Sequence, residues 1–304
     1  MAFNPKDKRP LGRLEFSLVS LAALLAGIFF VTGNCATPQY NYAPPTYRAV
    51  PTFTDIYNWP KYTPPEAAKP ASVPLTVIIV DPEHNQTLKV GNAVTMEMIK
   101  VFNSFSSSMG QDFEAVMVAK GMTAKGPFEY YDEITYTDKF TSDLIVQAII
   151  VFDINDLTPM EAGGYGALKS ELFENGQYGK VRYGKMSIGA KVYYYMYEPL
   201  SKEKMWVKKL DLGTEEFEYE MAYKQKQEAY ESYQTDECGG GRYVTQYKMV
   251  DTAETLYDTK PYLLAKKLKH EYGKIMEAGW TYFNVEEMKN MKARTLDIRQ
   301  RKQY

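Results

Sequence analysis

The sequence predicts an α+β fold: a mixed or antiparallel sheet with packed helices, behind an N-terminal signal or anchor and a Pro/Tyr-rich tether. Three observations predict it. Apolar runs bounded by turn residues, such as "SDLIVQAIIVFDIND", read as strands; apolar residues at helical spacing recur after residue 94 and after Asp258; and the 26 tyrosines suit half-exposed sheet surfaces. The chain has 304 residues, 45% hydrophobic and 24% charged, with formal net charge -2. It is long enough for one large domain or two small ones, and a near-neutral balance supplies no field that favours nucleic acid. With only Cys35 and Cys238, a disulfide framework and a thiolate-rich metal site are excluded.

The first 34 residues read as a signal peptide or membrane anchor. Lys6, Lys8, Arg9 and Arg13 precede the uncharged "FSLVSLAALLAGIFFVTGN", whose apolar core from Leu18 to Val31 is short for a bilayer span of roughly 20 residues. In "VTGNCATPQY" Cys35 sits just past that core. Lipidation of Cys35, an uncleaved anchor and conventional cleavage all stay open, and all three export the rest. Gly33 fits a lipoprotein cleavage site and Asn34 does not.

Residues 35–73 form the tether. Nine of the sixteen prolines fall between residues 36 and 74, so the segment is neither helix nor sheet interior. Stretched at about 3.1 Å per residue it spans roughly 100 Å. Its interleaved Tyr40, Tyr42, Tyr47, Tyr57, Trp59 and Tyr62 fit equally a strap lying along the folded domain.

Residues 74–304 form the body. "PLTVIIVDP" reads as a buried strand closed by Asp81-Pro82. Val94, Met98, Val101, Phe102 and Phe105 define a helix with Asn92 as cap, and "FEAVMVAKGM" resumes strand character. "KVRYGKMSIGAKVYYYMYEPLSKEKMWVKKLDL" is a hairpin turning at "EPLSKEK", with Met186, Ile188, Ala190, Val192, Tyr194 and Met196 on one face. Residues 214–242 read as a mobile, partly helical excursion, and "RYVTQYKMV" as a last strand. From Asp258 the chain is helical: Leu264, Leu268, Ile275 and Met276 form a stripe, with Pro261 in the first turn. The tail "VEEMKNMKARTLDIRQRKQY" has no comparable stripe, and its basic end reads as a solvated helix terminus.

Catalytic and metal chemistry find little support. His84 and His270 lie in different segments and read as surface residues, and no cofactor or metal motif is present. The glycine-rich "GGYG" and "CGGGR" open no helix. The acidic pairs Asp132/Glu133, Asp153/Asp156 and Glu215/Glu216 keep a hydrolase open as a lesser alternative, tested by changing Asp132 or Asp153.

The order of "GMTAKGPFEYYDEITYTDKFTSDLIVQAIIVFDI", "EPLSKEK" and a final helix with a basic end resembles the HpaA-like, neuraminyllactose-binding haemagglutinin family of bacterial lipoproteins. The resemblance implies an outer-membrane, cell-surface or flagellar-sheath lipoprotein without enzymatic activity. The place after Ile154, where that family's basic sugar-binding motif would fall, holds "NDLTPMEAGGYG" with no lysine or arginine, so no sugar-binding residue carries over. The reading is therefore an exported, membrane-tethered binding or adhesin-like module. Lipid sits at Cys35, and a contact face at Tyr193, Tyr195, Tyr197 and Trp206 meets a protein or surface glycan. The alternative is a structural homo-oligomer of a flagellar-sheath or secretion assembly.

Overall fold

The apolar run after Asp143 becomes the strand on which the rest of the sheet is built. In the computed structural model, which describes residues 47–69, 71–88, 94–158, 168–235 and 241–303, this strand is β4, Leu144–Asp156. Around it lie β1 (Thr76–Val80), β2 (Glu83–Leu88), β3 (Thr123–Phe128), β5 (Leu168–Leu172), β6 (Tyr178–Tyr197), β7 (Lys204–Thr235) and β8 (Gly241–Asp258). The order is β3-β1-β4-β6-β7-β8, with β2 also on β4 and β5 also on β6. β1 pairs in parallel with β3 and β4, and β2 in parallel with β4, whereas β4, β6, β7 and β8 pair antiparallel. The fold is α+β with a mixed sheet.

Helices α1 (Met96–Ala119), α3 (Lys260–Tyr282) and α4 (Val285–Lys302) bury their apolar stripes on one sheet face. That face carries Val146, Ala148, Ile150 and Phe152 of β4 and the alternate residues Met186 to Met196 of β6. Alternation at period two puts them all on one side, as their spacing predicts. A short helix α2 (Tyr136–Thr141) follows the 3-10 turn Tyr131–Glu133; Ile134 beyond that turn packs against Ile78, Val80, Ile145 and Tyr197 on the opposite face.

Several expectations are corrected. "FEAVMVAKGM" starts inside the helix: Met109, Phe113, Val116 and Met117 continue the three- and four-residue spacing of Phe102 and Phe105 to the end of α1. Gly110 is an interior, buried residue of this helix. The cap is Thr95, whose hydroxyl accepts from Met98 N at 3.4 Å, while Asn92 lies outside the described residues. Most of residues 214–242 continue the 32-residue strand β7 as a β-ladder, with no helix. Glu, Lys and Tyr alternate there with both faces polar, so the apolar period that marks a strand is missing. The final helix buries a narrow stripe, Met288, Thr295 and Ile298. Its Arg299 is tied down: Nε lies 2.9 Å from Glu198 Oε1, and its other nitrogens donate to the carbonyls of Lys139, Phe140 and Ser142.

The described part of the Pro/Tyr segment runs along the body. Trp59 packs edge-on against Phe105 with Nε1 donating to Ser104 Oγ at 2.9 Å. The Tyr62 amide donates to Asp112 Oδ2 at 2.7 Å, and Tyr272 donates to the same oxygen at 2.5 Å. Phe53 stacks near Tyr262, and Arg48 pairs with Glu171 and Glu220. Among the described residues no helix is long and apolar enough to cross a membrane. Cys35, Cys238 and Gly163 to Gly166 lie outside the described residues.

Candidate functional site

Parallel strands joined through a crossover helix leave a crevice beyond their carboxyl ends, where loops carry side chains and no strand fills the space. β1 ends at Val80 and the neighbouring β3 at Phe128, with α1 between them in sequence. Asp81 to His84, which follow β1, and Pro127, Glu129, Tyr130 and Glu133, at and beyond the end of β3, line a cleft of about 770 Å³ together with Asn103, Ser106, Ser107 and Gln111 of α1. That volume lies within the usual range for small-ligand sites.

Asp81 anchors the cleft. Its amide donates to Phe128 O at 2.8 Å, and its carboxylate lies against Gly110 so closely that a Cβ there would fall 1.8 Å from Oδ1. A side chain at position 110 would expel the carboxylate. Burial first, and then the charges of Glu129 and Glu133, push the Asp81 carboxyl up to about 7. Among the described residues Oδ1 has no hydrogen-bond partner. Glu83 accepts from Gln147 Nε2 at 3.0 Å, and Glu133 accepts from the amides of Glu129 and Tyr130 at 3.1 and 3.4 Å. His84 stacks on Phe102 with ring centroids 5.0 Å apart, and its Nε2 meets Asn103 Oδ1 at 2.8 Å, so it is half-buried where the sequence suggests a surface residue. His84 Nδ1 and Ser106 Oγ are also buried without partners among the described residues. Buried polar atoms are rarely left unpaired, and three bordering one cleft mark it out.

The sequence-derived contact residues do not share one surface. Tyr193, Tyr195 and Tyr197 form a row on the sheet face away from α1, α3 and α4, with successive ring centroids 6.3 and 5.6 Å apart and Lys204 Nζ 3.9 Å over Tyr195. Tyr197 is buried, at 7% exposure, and Tyr193 and Tyr195 are half-buried. Trp206 pairs with Met196 and so points to the opposite, helix-covered side, packing on Phe283 with Nε1 donating to Glu287.

The acidic pairs do not assemble either. Asp153 and Asp156 are three residues apart on β4 and face opposite sides; Asp156 accepts from Tyr219 and Arg182. Glu215 pairs with Lys267, and of Asp132 and Glu133 only the latter lines the cleft. Among the described residues no group of three His, Cys, Asp or Glu side chains is placed to hold a metal ion.

Comparison with protein-family models finds no match, and neither does comparison with curated proteins. Among solved structures the chain is similar to a putative neuraminyllactose-binding haemagglutinin homologue from Helicobacter pylori, at 11% identity and TM-score 0.44, over 76% of this chain and 97% of that one. It is also similar to a lipoprotein of Neisseria meningitidis, at 8% identity and TM-score 0.22, over 48% of this chain and 84% of the other. A third is the PelC dodecamer of Paraburkholderia phytofirmans, at 8% identity and TM-score 0.19, over 68% and 92%. No residue role passes from these proteins to this chain.

Proposed function

We propose that the chain is an exported, membrane-tethered binding module of a bacterial cell envelope, without catalytic function, whose ligand site is the cleft beyond β1 and β3. The observation that carries the binding reading is a set of buried polar atoms, without partners among the described residues, on residues that line the cleft: Asp81 Oδ1, His84 Nδ1 and Ser106 Oγ. A bound group supplies the missing partners. The tethering half rests on the sequence: a basic leader, a short uncharged apolar core and Cys35 at its end. The mass of the mature N-terminus in membrane fractions tests it. A diacylated Cys35 as first residue, lost in Cys35→Ser, is the expected result; an intact Met1 makes the segment an uncleaved anchor, and a free terminus beyond Cys35 makes the protein soluble.

The tyrosine row stays part of the proposal as a surface for a macromolecular partner at Tyr193 and Tyr195, the two members left half-open. A second reading, as a self-associating structural component, has its own observation. β8 ends the strand order, and Tyr230, Tyr233, Tyr243 and Tyr247 are exposed on the ribbon it forms with β7. Exposed edges of this kind pair readily with another copy. Sedimentation of the full chain in detergent at micromolar concentration decides it: a protomer mass supports the binding module, and a closed oligomer the structural role.

A further inference from the structure

We infer that the cleft binds an organic cation, an alkylammonium or guanidinium head group, seated between the carboxylates of Asp81, Glu83 and Glu129 and the ring of Tyr130. The inference rests on reading this cleft as the ligand site and names the chemistry of what enters it.

Charge comes first. Four carboxylates line the cleft, those of Asp81, Glu83, Glu129 and Glu133, and among the described residues no lysine or arginine does. Most carboxylates on the body have a cation of their own, as Asp138 has Lys125 and Asp143 has Lys292. An anionic ligand would add to the charge already there, whereas a cation neutralises it in a partly dry setting where the attraction is stronger than in water.

The unpartnered atoms then discriminate among ligands. Ser106 is 6% exposed, lines the cleft and has no partner for Oγ. Asp81 Oδ1 accepts when its carboxyl is ionised. In a neutral His84 whose Nε2 donates to Asn103 Oδ1, Nδ1 is left as an acceptor. With Asp81 ionised and His84 neutral, the wall thus presents two acceptors and one hydroxyl that can accept. An ammonium has three donors and no acceptor, and a guanidinium has five. A sugar hydroxyl or a carboxylate would bring further acceptors to a wall already rich in them. A metal ion is disfavoured by geometry, since the described carboxylates and imidazole form no cluster of three placed to coordinate one. The exposed ring of Tyr130, with Pro82 and Pro127 nearby, offers the flat apolar wall over which organic cations sit.

Binding should be pH-dependent. The charged groups around Asp81 are Glu83 and His84 of β2 and Glu129 and Glu133 after β3, and the facing turn of α1 contributes only Ser106, Gly110 and Gln111. Asp81 titrates near 7, so a ligand selecting its ionised form finds about nine-tenths of the molecules competent at pH 8 and about one-tenth at pH 6, weakening apparent affinity about tenfold.

The test is calorimetry on the full chain in detergent with n-butylammonium, agmatine and putrescine chlorides at pH 8 and pH 6. The expected result is saturable one-site binding, about tenfold weaker at pH 6 and at least about fivefold weaker in Glu129→Gln. Binding should be unchanged in Glu218→Gln, a charge removed from an exposed position on β7. Tighter binding of agmatine than of the amines assigns a guanidinium, and the reverse an ammonium. Tighter binding of putrescine than of n-butylammonium points to a free diamine, and parity to a side-chain head group. Two results overturn the inference. Calcium binding that displaces n-butylammonium would make the site a metal site. Binding of neutral lactose but of no amine, abolished by Ser107→Trp at the cleft mouth, would keep the cleft as the ligand site and remove the cation. If Ser107→Trp changes the binding of none of these probes, the cleft reading itself fails.

Discussion

Two carboxylates show how differently burial acts according to what surrounds it. Glu198 is fully buried in the turn between β6 and β7. Burial alone would raise its carboxyl, but donors from the Ser201 amide and Arg299 outweigh that and hold it below the ordinary glutamate range. Its contribution to stability is present above that ordinary range and is lost as pH falls through the lowered folded value. Arg299→Ala removes the partner and strands the charge, so urea unfolding at pH 7 should show a loss of about 3–5 kcal/mol. The deficit should shrink toward pH 4, where protonation removes the buried charge. Asp81 is the reverse case: burial and two nearby carboxylates raise it to about 7, with no donor on Oδ1. The folded state therefore binds more protons than the unfolded state between about pH 4 and 7, and stability falls as pH rises through that window. Asp81→Asn should be near neutral at pH 5 and stabilising by about 1–2 kcal/mol at pH 8, a figure discounted for partial solvent screening. A variant that loses stability at both pH values would show that the carboxylate is structural.

At the scale of elements, the long strand pair separates into a packed half and a free half. β7 pairs with β6 as far as Gln225; beyond it, Lys226 to Thr235 pair among the described residues with Gly241 to Val250 alone. Two strands without a third or a covering helix are marginal in water, so this ribbon draws its order from the sheet at its base. Replacing residues 228–248 with an Asn-Gly turn between the ladder partners Gln227 and Met249 should change unfolding free energy by under about 1 kcal/mol. A loss of several kcal/mol would mean the ribbon packs on something more than itself. The same contrast explains what the sequence discloses. β4 was legible as an apolar run ended by turn residues, and β6 because burial on the helix side imposes a period of two on Met186 to Met196. The outer part of β7 was not, since neither face is buried and nothing selects apolar residues at alternate positions. The cleft was illegible for another reason: Asp81, Ser106 and Glu129 come from three segments that only the parallel pairing of β1 with β3 brings together. One sign was available, the Asp81-Pro82 stop at a buried strand's carboxyl end, the place where α/β crevices form.

For the molecule as a whole, the question is where the domain starts. Composition places the boundary at residue 73, because prolines exclude regular structure before it. Prolines do not exclude packing, however. A chain without ladder partners can still satisfy its amides one at a time on side chains, and residues 47–69 do this, with the Tyr62 amide on Asp112 and Trp59 held by Phe105 and Ser104. Asp112 is itself buried and takes the Tyr272 hydroxyl as well, so one carboxylate ties strap, α1 and α3 together. If the strap belongs to the domain, the Tyr62 amide should exchange its hydrogen only through global unfolding, and Trp59→Ala should cost about 2–3 kcal/mol, while Tyr57→Ala, at an exposed position, should cost under about 0.5. The reach of any tether from Cys35 then comes only from residues 36–46, at most about 40 Å of extended chain. Exchange of the Tyr62 amide at the rate of an unstructured peptide, with Trp59→Ala neutral, would return the boundary to residue 73 and restore a tether of roughly 100 Å.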